Sequence, residues 1–187
     1  MKPAVFLDRD GTMIEDVGYL DAINRVAIYP WTVDAIRALN RGGFAVVVVT
    51  NQSGVACGLF SETLVGDTHR HLDAMLTAGG AHVDAYYYCP HHPNGTVAAY
   101  ARHCDSRKPG RGMIDAAARD LDLDPAASFV VGDRWGDVQL ARAVGARGVL
   151  VRTGLGAEQE GQPPDGVAAD AVVDNLAAAA SWIIRCK

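Results

Sequence analysis

The run Val46-Val47-Val48-Val49 is strand-length, and no apolar stretch in this sequence is long enough to cross a bilayer. A membrane span is therefore not expected. Lysine and arginine form no block, and the 187 residues carry a formal net charge of −5, so nucleic acid is not an expected partner. The four cysteines, Cys57, Cys89, Cys104 and Cys186, lack the spacing of a small secreted domain, which argues against a disulfide framework. The chain enters a strand-like run almost at once, leaving no signal peptide to expect, and the cytoplasm is the expected location. No internal repeat is visible. What is present is a 49% hydrophobic chain, enough for one compact domain over 1–187 with a sizeable core. With acidic residues in excess of basic ones, an anionic substrate has to be held by a metal and a few local Lys or Arg.

Apolar, β-rich runs alternate with helical patterns. Strands are expected at 3–8, 44–50, 83–88, 128–132, 147–152 and 170–173, and helices at 31–41, 61–78, 112–121, 135–144 and 175–184. Gly42-Gly43 stops the first helix, and Asp124-Pro125 reads as an N-cap followed by proline at the first helical position. This alternation predicts an α/β fold, a Rossmann-like doubly wound parallel sheet with helices on both faces. Residues 11–30 read as a hairpin-like flap over the strand edge, 89–111 as an irregular loop of metal-binding type, and 156–168 as an exposed loop.

The chemistry concentrates where strands end. Ala4-Val5-Phe6-Leu7 delivers Asp8 and Asp10, followed by Gly11-Thr12. In an open α/β sheet, ligands bind at the carboxyl ends of strands. Two carboxylates there are tolerable mainly around a divalent cation, and an Asp facing such a cation can attack a phosphoryl group. The next strand ends in Thr50-Asn51-Gln52-Ser53-Gly54, able to offer a hydroxyl and backbone N–H groups to a phosphate. Arg107-Lys108-Pro109 supplies positive charge, and 128–132 leads into Asp133, Arg134 and, four residues after Asp133, Asp137 in the first turn of a helix. Each segment alone also reads as a polar turn after a strand, an exposed basic pair or helix-end electrostatics. Four in this order, three of them at strand ends, point to phosphoryl transfer.

This order of motifs resembles the haloacid dehalogenase (HAD) superfamily of Mg²⁺-dependent phosphatases across essentially the whole chain. The resemblance implies that Asp8 is the nucleophile and Asp10 the general acid and base. It implies that Thr50 and Lys108 hold the phosphoryl group. Mg²⁺ would be held by Asp8, the Asp10 carbonyl and Asp133, with Asp137 orienting Lys108 or a metal-bound water. No cap domain fits between the motifs, so the fold is expected to be HAD-like, capless and open.

The finer pattern is Phe6-Leu7-Asp8-Arg9-Asp10-Gly11-Thr12, Thr50-Asn51-Gln52-Ser53-Gly54-Val55-Ala56, Tyr88-Cys89-Pro90-His91-His92-Pro93 and Arg107-Lys108-Pro109. It looks like the D-glycero-D-manno-heptose-1,7-bisphosphate 7-phosphatase and histidinol-phosphatase family. That resemblance implies a small phosphorylated sugar as substrate, in the supply of heptose for lipopolysaccharide. It implies a pocket lined by Asp16, Val17, Gly18 and Tyr19, phosphate contacts from Thr50, Asn51, Gln52 and Ser53, and substrate recognition by Arg107, Lys108 and Arg134. A monomer is expected. Histidinol phosphate or another small sugar phosphate is the alternative substrate, and an inactive phosphate-binding protein the alternative outside enzymes.

Two positions depart from the family pattern. Cys89, His91 and Cys104 resemble three ligands of a structural zinc loop, but Ser106 stands where the pattern has its fourth, a Cys. His92, His103, Asp105 or a water are the candidates to complete the shell, or the loop holds together without metal. Cys57 stands where a basic residue is expected, which bears on recognition of a remote anionic group.

Overall fold

In the computed structural model, which describes residues 1–186, six strands form one parallel sheet. They are β1 (Ala4–Leu7), β2 (Ala45–Asn51), β3 (Ala85–Cys89), β4 (Phe129–Gly132), β5 (Arg147–Val151) and β6 (Ala171–Val173), in the order β3-β2-β1-β4-β5-β6. The helices are α1 (Thr32–Arg41), α2 (Glu62–Ala78), α3 (Gly112–Leu121), α4 (Trp135–Val144), α5 (Gly156–Glu160) and α6 (Leu176–Arg185). The strand order reverses at β1, whose neighbours are β2 on one side and β4 on the other. The crevice beyond the carboxyl end of β1 is therefore the place where this topology puts a ligand.

The period-two alternation of the strands divides the core between the two sheet faces. Val5, Leu7, Val46, Val48 and Val131 pack with α1, α2 and α6 residues such as Ile36, Leu72 and Ile183. Ala4, Phe6, Val47, Val49 and Val130 pack on the other face with Ile114 of α3 and Leu140 of α4. A sheet covered on both faces explains why its strands are almost wholly apolar. Asp124 caps the short 3₁₀ turn Pro125–Ala127 by accepting the Ala126 N–H at 3.0 Å.

The flap is hairpin-like, as expected: Ile14 pairs antiparallel with Ile28, Glu15 N–H donates to Ala27 O and Tyr29 N–H to Met13 O. Its mixed polarity conceals an anchor, since Met13, Ile14 and Leu20 are buried in the main core. Two expectations need correction. The segment 156–168 is not loop throughout, because α5 occupies its first five residues. Its Gln159 accepts the Trp135 indole N–H through its carbonyl, at 2.5 Å, which fixes α5 against α4. Val17 packs against the core beside Leu20 rather than lining the cavity, the better place for an apolar side chain in a polar loop.

Candidate active site

Beyond β1, β2 and β4 opens a cavity of about 560 Å³. It is lined by Asp8, Asp10, Asp16, Gly18, Tyr19, Thr50, Asn51, Gln52, Ser53, Arg107, Lys108, Arg134 and Asp137, with Arg9, Leu20, Phe60, Gly136 and Gln159 among the rest. The sheet thus gathers segments more than a hundred residues apart into one crevice. Asp133 lies beneath it, fully buried.

The floor is a charge cluster. Lys108 Nζ lies 2.9 Å from Asp8 Oδ1 and 2.7 Å from Asp137 Oδ1, and all three side chains are buried. Asp8 Oδ1 also accepts the Arg9 N–H at 2.7 Å, leaving Oδ2 as the unengaged oxygen of the carboxylate. Burial disfavours charge on Lys108, but Asp137 and Asp8 more than offset it and raise its pKa. Burial, and then the Asp8 charge, push Asp133 up to about 7 against the pull of the Leu155 N–H on its Oδ2. Burial pushes Asp137 up to about 6, with Lys108 pulling the other way. Asp137 sits in the first turn of α4 and accepts the Arg134 N–H there.

Three buried carboxylates against one ammonium leave a net charge of about −2, a configuration that a divalent cation would relieve. Donor oxygens of Asp8, Asp133 and Asp137 lie within 4.8 Å of one another. Lys108 already occupies Asp137, whereas Asp133 Oδ1 is buried with no hydrogen-bond partner among the described residues, the Arg134 Nε lying 3.9 Å away. The bonds closing the turn after β1, Gly11 N to Ile14 O and Ile14 N to Arg9 O, leave the Asp10 carbonyl outside the ladder. These residues fit a magnesium ion on Asp8, Asp133 and the Asp10 carbonyl. Gly11 is required beside them. Its φ is +81°, and a Cβ there would lie 2.2 Å from Asp133 Oδ2.

The Asp10 carboxylate is held apart from this cluster. Arg9 forks onto it, with Nε 3.1 Å from Oδ2 and Nη2 3.1 Å from Oδ1, and Gln52 Nε2 donates to Oδ2 at 2.9 Å. The same Gln52 amide donates to Thr50 Oγ1 at 2.9 Å, which leaves the Thr50 hydroxyl proton to point elsewhere. Asn51 clamps the backbone of Lys108: its Oδ1 accepts the Lys108 N–H at 3.0 Å and its Nδ2 donates to Lys108 O at 3.3 Å. At the rim, Arg134 pairs with Asp16 at 3.2 Å, and Tyr19 and Phe60 approach with ring centroids 6.5 Å apart.

Sequence reasoning missed Arg9, Phe60 and Gln159. Arg9 was visible only as the variable residue between two aspartates. The positions of Phe60 and Gln159 depend on loops with no periodic signal.

The irregular loop spans 90–111 between β3 and α3. Cys89, His91 and Cys104 do converge, and Cys89 Sγ lies 3.8 Å from His91 Nδ1. Among the described residues no further His, Cys, Asp or Glu joins them, so His92, His103 and Asp105 do not supply the fourth position. Burial pushes the Cys89 thiol up to about 11. Hydrogen bonds fasten the loop independently: Tyr88 and Tyr100 both donate to the Glu62 carboxylate, at 3.0 and 2.7 Å, and Val97 N–H donates to Ala56 O.

Comparison with known proteins agrees with this geometry. Residues 106–179 match the HAD-hydrolase-like family. The chain is 44% identical over 177 residues to the D-glycero-beta-D-manno-heptose-1,7-bisphosphate 7-phosphatase of Yersinia pestis, covering 94% of this chain and 92% of that protein. It is 45% identical to the enzyme of the same name from Escherichia coli K12, covering 94% and 90%. The crystal structure of D,D-heptose 1,7-bisphosphate phosphatase from B. bronchiseptica, complexed with magnesium and phosphate, superposes with a TM-score of 0.86. That protein is 34% identical, with full coverage of both chains.

Proposed function

The chain belongs to the heptose-1,7-bisphosphate 7-phosphatase family of HAD-like hydrolases. From that premise we propose that it removes the 7-phosphate of D-glycero-D-manno-heptose 1,7-bisphosphate through an aspartyl-phosphate on Asp8. The observation that carries the chemistry is the buried cluster of Asp8, Asp133, Asp137 and Lys108 at the head of a 560 Å³ cavity, with Asp10 beside it. Asp8, Asp133 and the Asp10 carbonyl would hold the magnesium ion, which would supply the positive charge that lets a phosphate dianion approach a carboxylate.

The protein's own groups do the rest. Lys108 and the Arg9 N–H hold one oxygen of Asp8, so that the other faces the phosphorus for in-line attack. The Thr50 hydroxyl and Lys108 bind the equatorial oxygens as charge develops. Asp10, carrying a proton, gives it to the departing C7 oxygen. As a carboxylate it then takes a proton from the water that attacks the aspartyl-phosphate. Arg107 and Arg134, near the rim, face the second phosphate, Asp16, Gly18 and Tyr19 the sugar, and Gln52 and Ser53 lie with Thr50 beside the phosphate being transferred. Asn51 serves the site through Lys108. The reading carries with it a cytoplasmic monomer without nucleic-acid or membrane partners. No described helix is long and apolar enough to cross a membrane.

Zinc has a weaker claim. The loop offers three ligands where a closed structural site needs four, so a zinc ion here would keep water or the Ser106 hydroxyl as its fourth ligand. The test of the function is Mg²⁺-dependent phosphate release measured side by side on the heptose bisphosphate and on histidinol phosphate. The bisphosphate should have a kcat/KM higher by two orders of magnitude or more. Equal values would refute the assigned specificity, and undiminished turnover by Asp8→Asn would refute the mechanism.

A further inference from the structure

Arg9 is the largest fully buried side chain among the described residues, 1% exposed, and in sequence it lies between the two aspartates of the site. A buried guanidinium has to be paired, and its planar fork imposes a geometry on whatever pairs with it. Here the fork takes both oxygens of Asp10, and Nη2 also donates to Gln52 Oε1 at 3.0 Å. Gln52 closes the ring by donating back to Asp10 Oδ2. On the far side of the guanidinium, Nη1 faces His69 Nε2 at 3.5 Å.

His69 comes from α2 and is itself buried, stacked on Tyr86 with centroids 4.5 Å apart and edge-on to Tyr88 at 6.0 Å. Burial, and then the Arg9 charge, push its pKa down to about 3, so the ring is neutral and its Nε2 lone pair can accept from the guanidinium. The Tyr86 hydroxyl is tied in turn to Asp73 of the same helix at 2.8 Å. None of His69, Tyr86 or Asp73 lines the cavity.

We propose that Arg9, backed by His69, is a positioning residue that sets the plane and direction of the Asp10 carboxylate. The proposal rests on the reading of Asp10 as the acid–base group. The Asp10 side chain is 21% exposed and, unclamped, would be free to rotate. Displacement of a reacting group by about 1 Å can cost about 10²-fold in rate. Lysine at position 9 would keep the charge and lose the fork. The clamp also explains why a helix remote from the chemistry places an imidazole under the strand edge: it stops the long Arg9 side chain from sliding along its own axis.

The experiment is a double-mutant cycle on the heptose bisphosphate with saturating Mg²⁺. Arg9→Lys should lower kcat by about 10- to 100-fold with KM changed less than about threefold. In an Asp10→Asn background the same substitution should change kcat by less than about threefold, because the group it positions is gone. Equal losses in both backgrounds would overturn the positioning role and leave Asp10 as acid and base. Full turnover by Asp10→Asn alone would overturn the acid–base reading and the proposal with it. Because Arg9→Lys could also fail to fold, His69 gives an independent arm. His69→Leu, which removes the acceptor, should lower kcat in the Asp10 background only, and His69→Gln, which restores one, should recover most of that loss. A His69→Leu enzyme with unchanged kcat, or one that Gln does not rescue, would count against the proposal.

Discussion

Replacing Lys108 with methionine separates the two roles of the buried cluster. In the folded protein Asp8 and Asp137 hold this one ammonium, with Asp133 clustered beside the two carboxylates, and all four side chains are nearly inaccessible. Methionine keeps the unbranched stem, one atom shorter, and removes the charge, taking the buried balance from about −2 to about −3. Loss of one partner from a buried pair typically costs about 3–5 kcal/mol, because the surviving charge is left without compensation. For a chain of this size each kcal/mol corresponds to about 2–4 °C, so Tm in EDTA should fall by about 6–20 °C. Adding Asp137→Asn to Lys108→Met returns the balance to about −2 and should recover at least half of that fall. Turnover should not recover, because the ammonium that stabilises the phosphoryl oxygens is absent from both variants. Its loss should cost about 10²–10³-fold or more in kcat. The assays are thermal denaturation by circular dichroism in EDTA and phosphate release in Mg²⁺. A Lys108→Met protein as stable as the wild type would refute the reasoning, as would a double variant no more stable than the single.

Other outcomes follow from the same site. Asp133 has a folded pKa raised to about 7 from 3.8, so its contribution to stability is whole below about pH 4 and lost as pH rises through 7. In EDTA this should remove on the order of 4 kcal/mol, and Asp133→Asn should flatten the fall in urea midpoint between pH 5 and 8 while abolishing turnover. An unchanged slope in that variant would contradict the assignment. Gly11→Ala pairs left-handed backbone strain with a collision against Asp133 and should cost about 2–5 kcal/mol in denaturant titrations. Gly18→Ala, with φ +78° but nothing within 4 Å, should cost only the strain, about 1–2 kcal/mol. For the irregular loop, Glu62→Ala should lower Tm more than a zinc chelator does, because two tyrosine hydroxyls end on that carboxylate and the metal set is one ligand short. A larger effect of chelation, with one zinc per chain by metal analysis, would reverse that ranking.

Much of this was legible in the sequence because parallel strands buried on both faces are written as apolar runs, and their ends are written as abrupt polarity. β1, β2 and β4 announce themselves this way, and Asp8, Thr50 and Asp133 are the residues at which each run stops. Helices with an apolar face, such as α3 at Gly112–Leu121 and α4 at Trp135–Val144, were equally plain. Short or locally irregular pieces were not. The five residues of α5 have too few turns to show a period, and the helix is held by the contact of Gln159 with Trp135, a tertiary event. Val17 and Leu20 sit in a polar segment whose burial depends on where the flap lies. The link from His69 through Arg9 to Asp10 joins positions sixty residues apart in sequence, and nothing in either neighbourhood marks it. The loop ligands Cys89, His91 and Cys104 were visible as residue types, whereas nothing in the sequence marks that His92, whose Nδ1 accepts the Asn94 N–H, or His103 and Asp105 stay outside their cluster.

The distribution of charge around the cavity divides the labour between floor and rim. Arg9 pairs with Asp10 and Arg134 with Asp16, so the densest negative charge lies at Asp8, Asp133 and Asp137, with Lys108 on two of them. A phosphate dianion brought to a floor of about −2 meets strong repulsion in a partly desolvated space, where two unit charges 4 Å apart interact by about 4 kcal/mol at an effective dielectric of 20. Phosphate binding must therefore depend on magnesium, and inorganic phosphate should inhibit only when the cation is present. The rim is coupled to this floor. Arg134 is half exposed, but its partner Asp16 is only 11% exposed, and the Arg134 Nε also lies 3.9 Å from Asp133 Oδ1. A second phosphate that draws Arg134 outward therefore removes compensation from two nearly buried carboxylates, and selectivity for a bisphosphate set at Arg134 is linked through Asp133 to the group on which the chemistry depends.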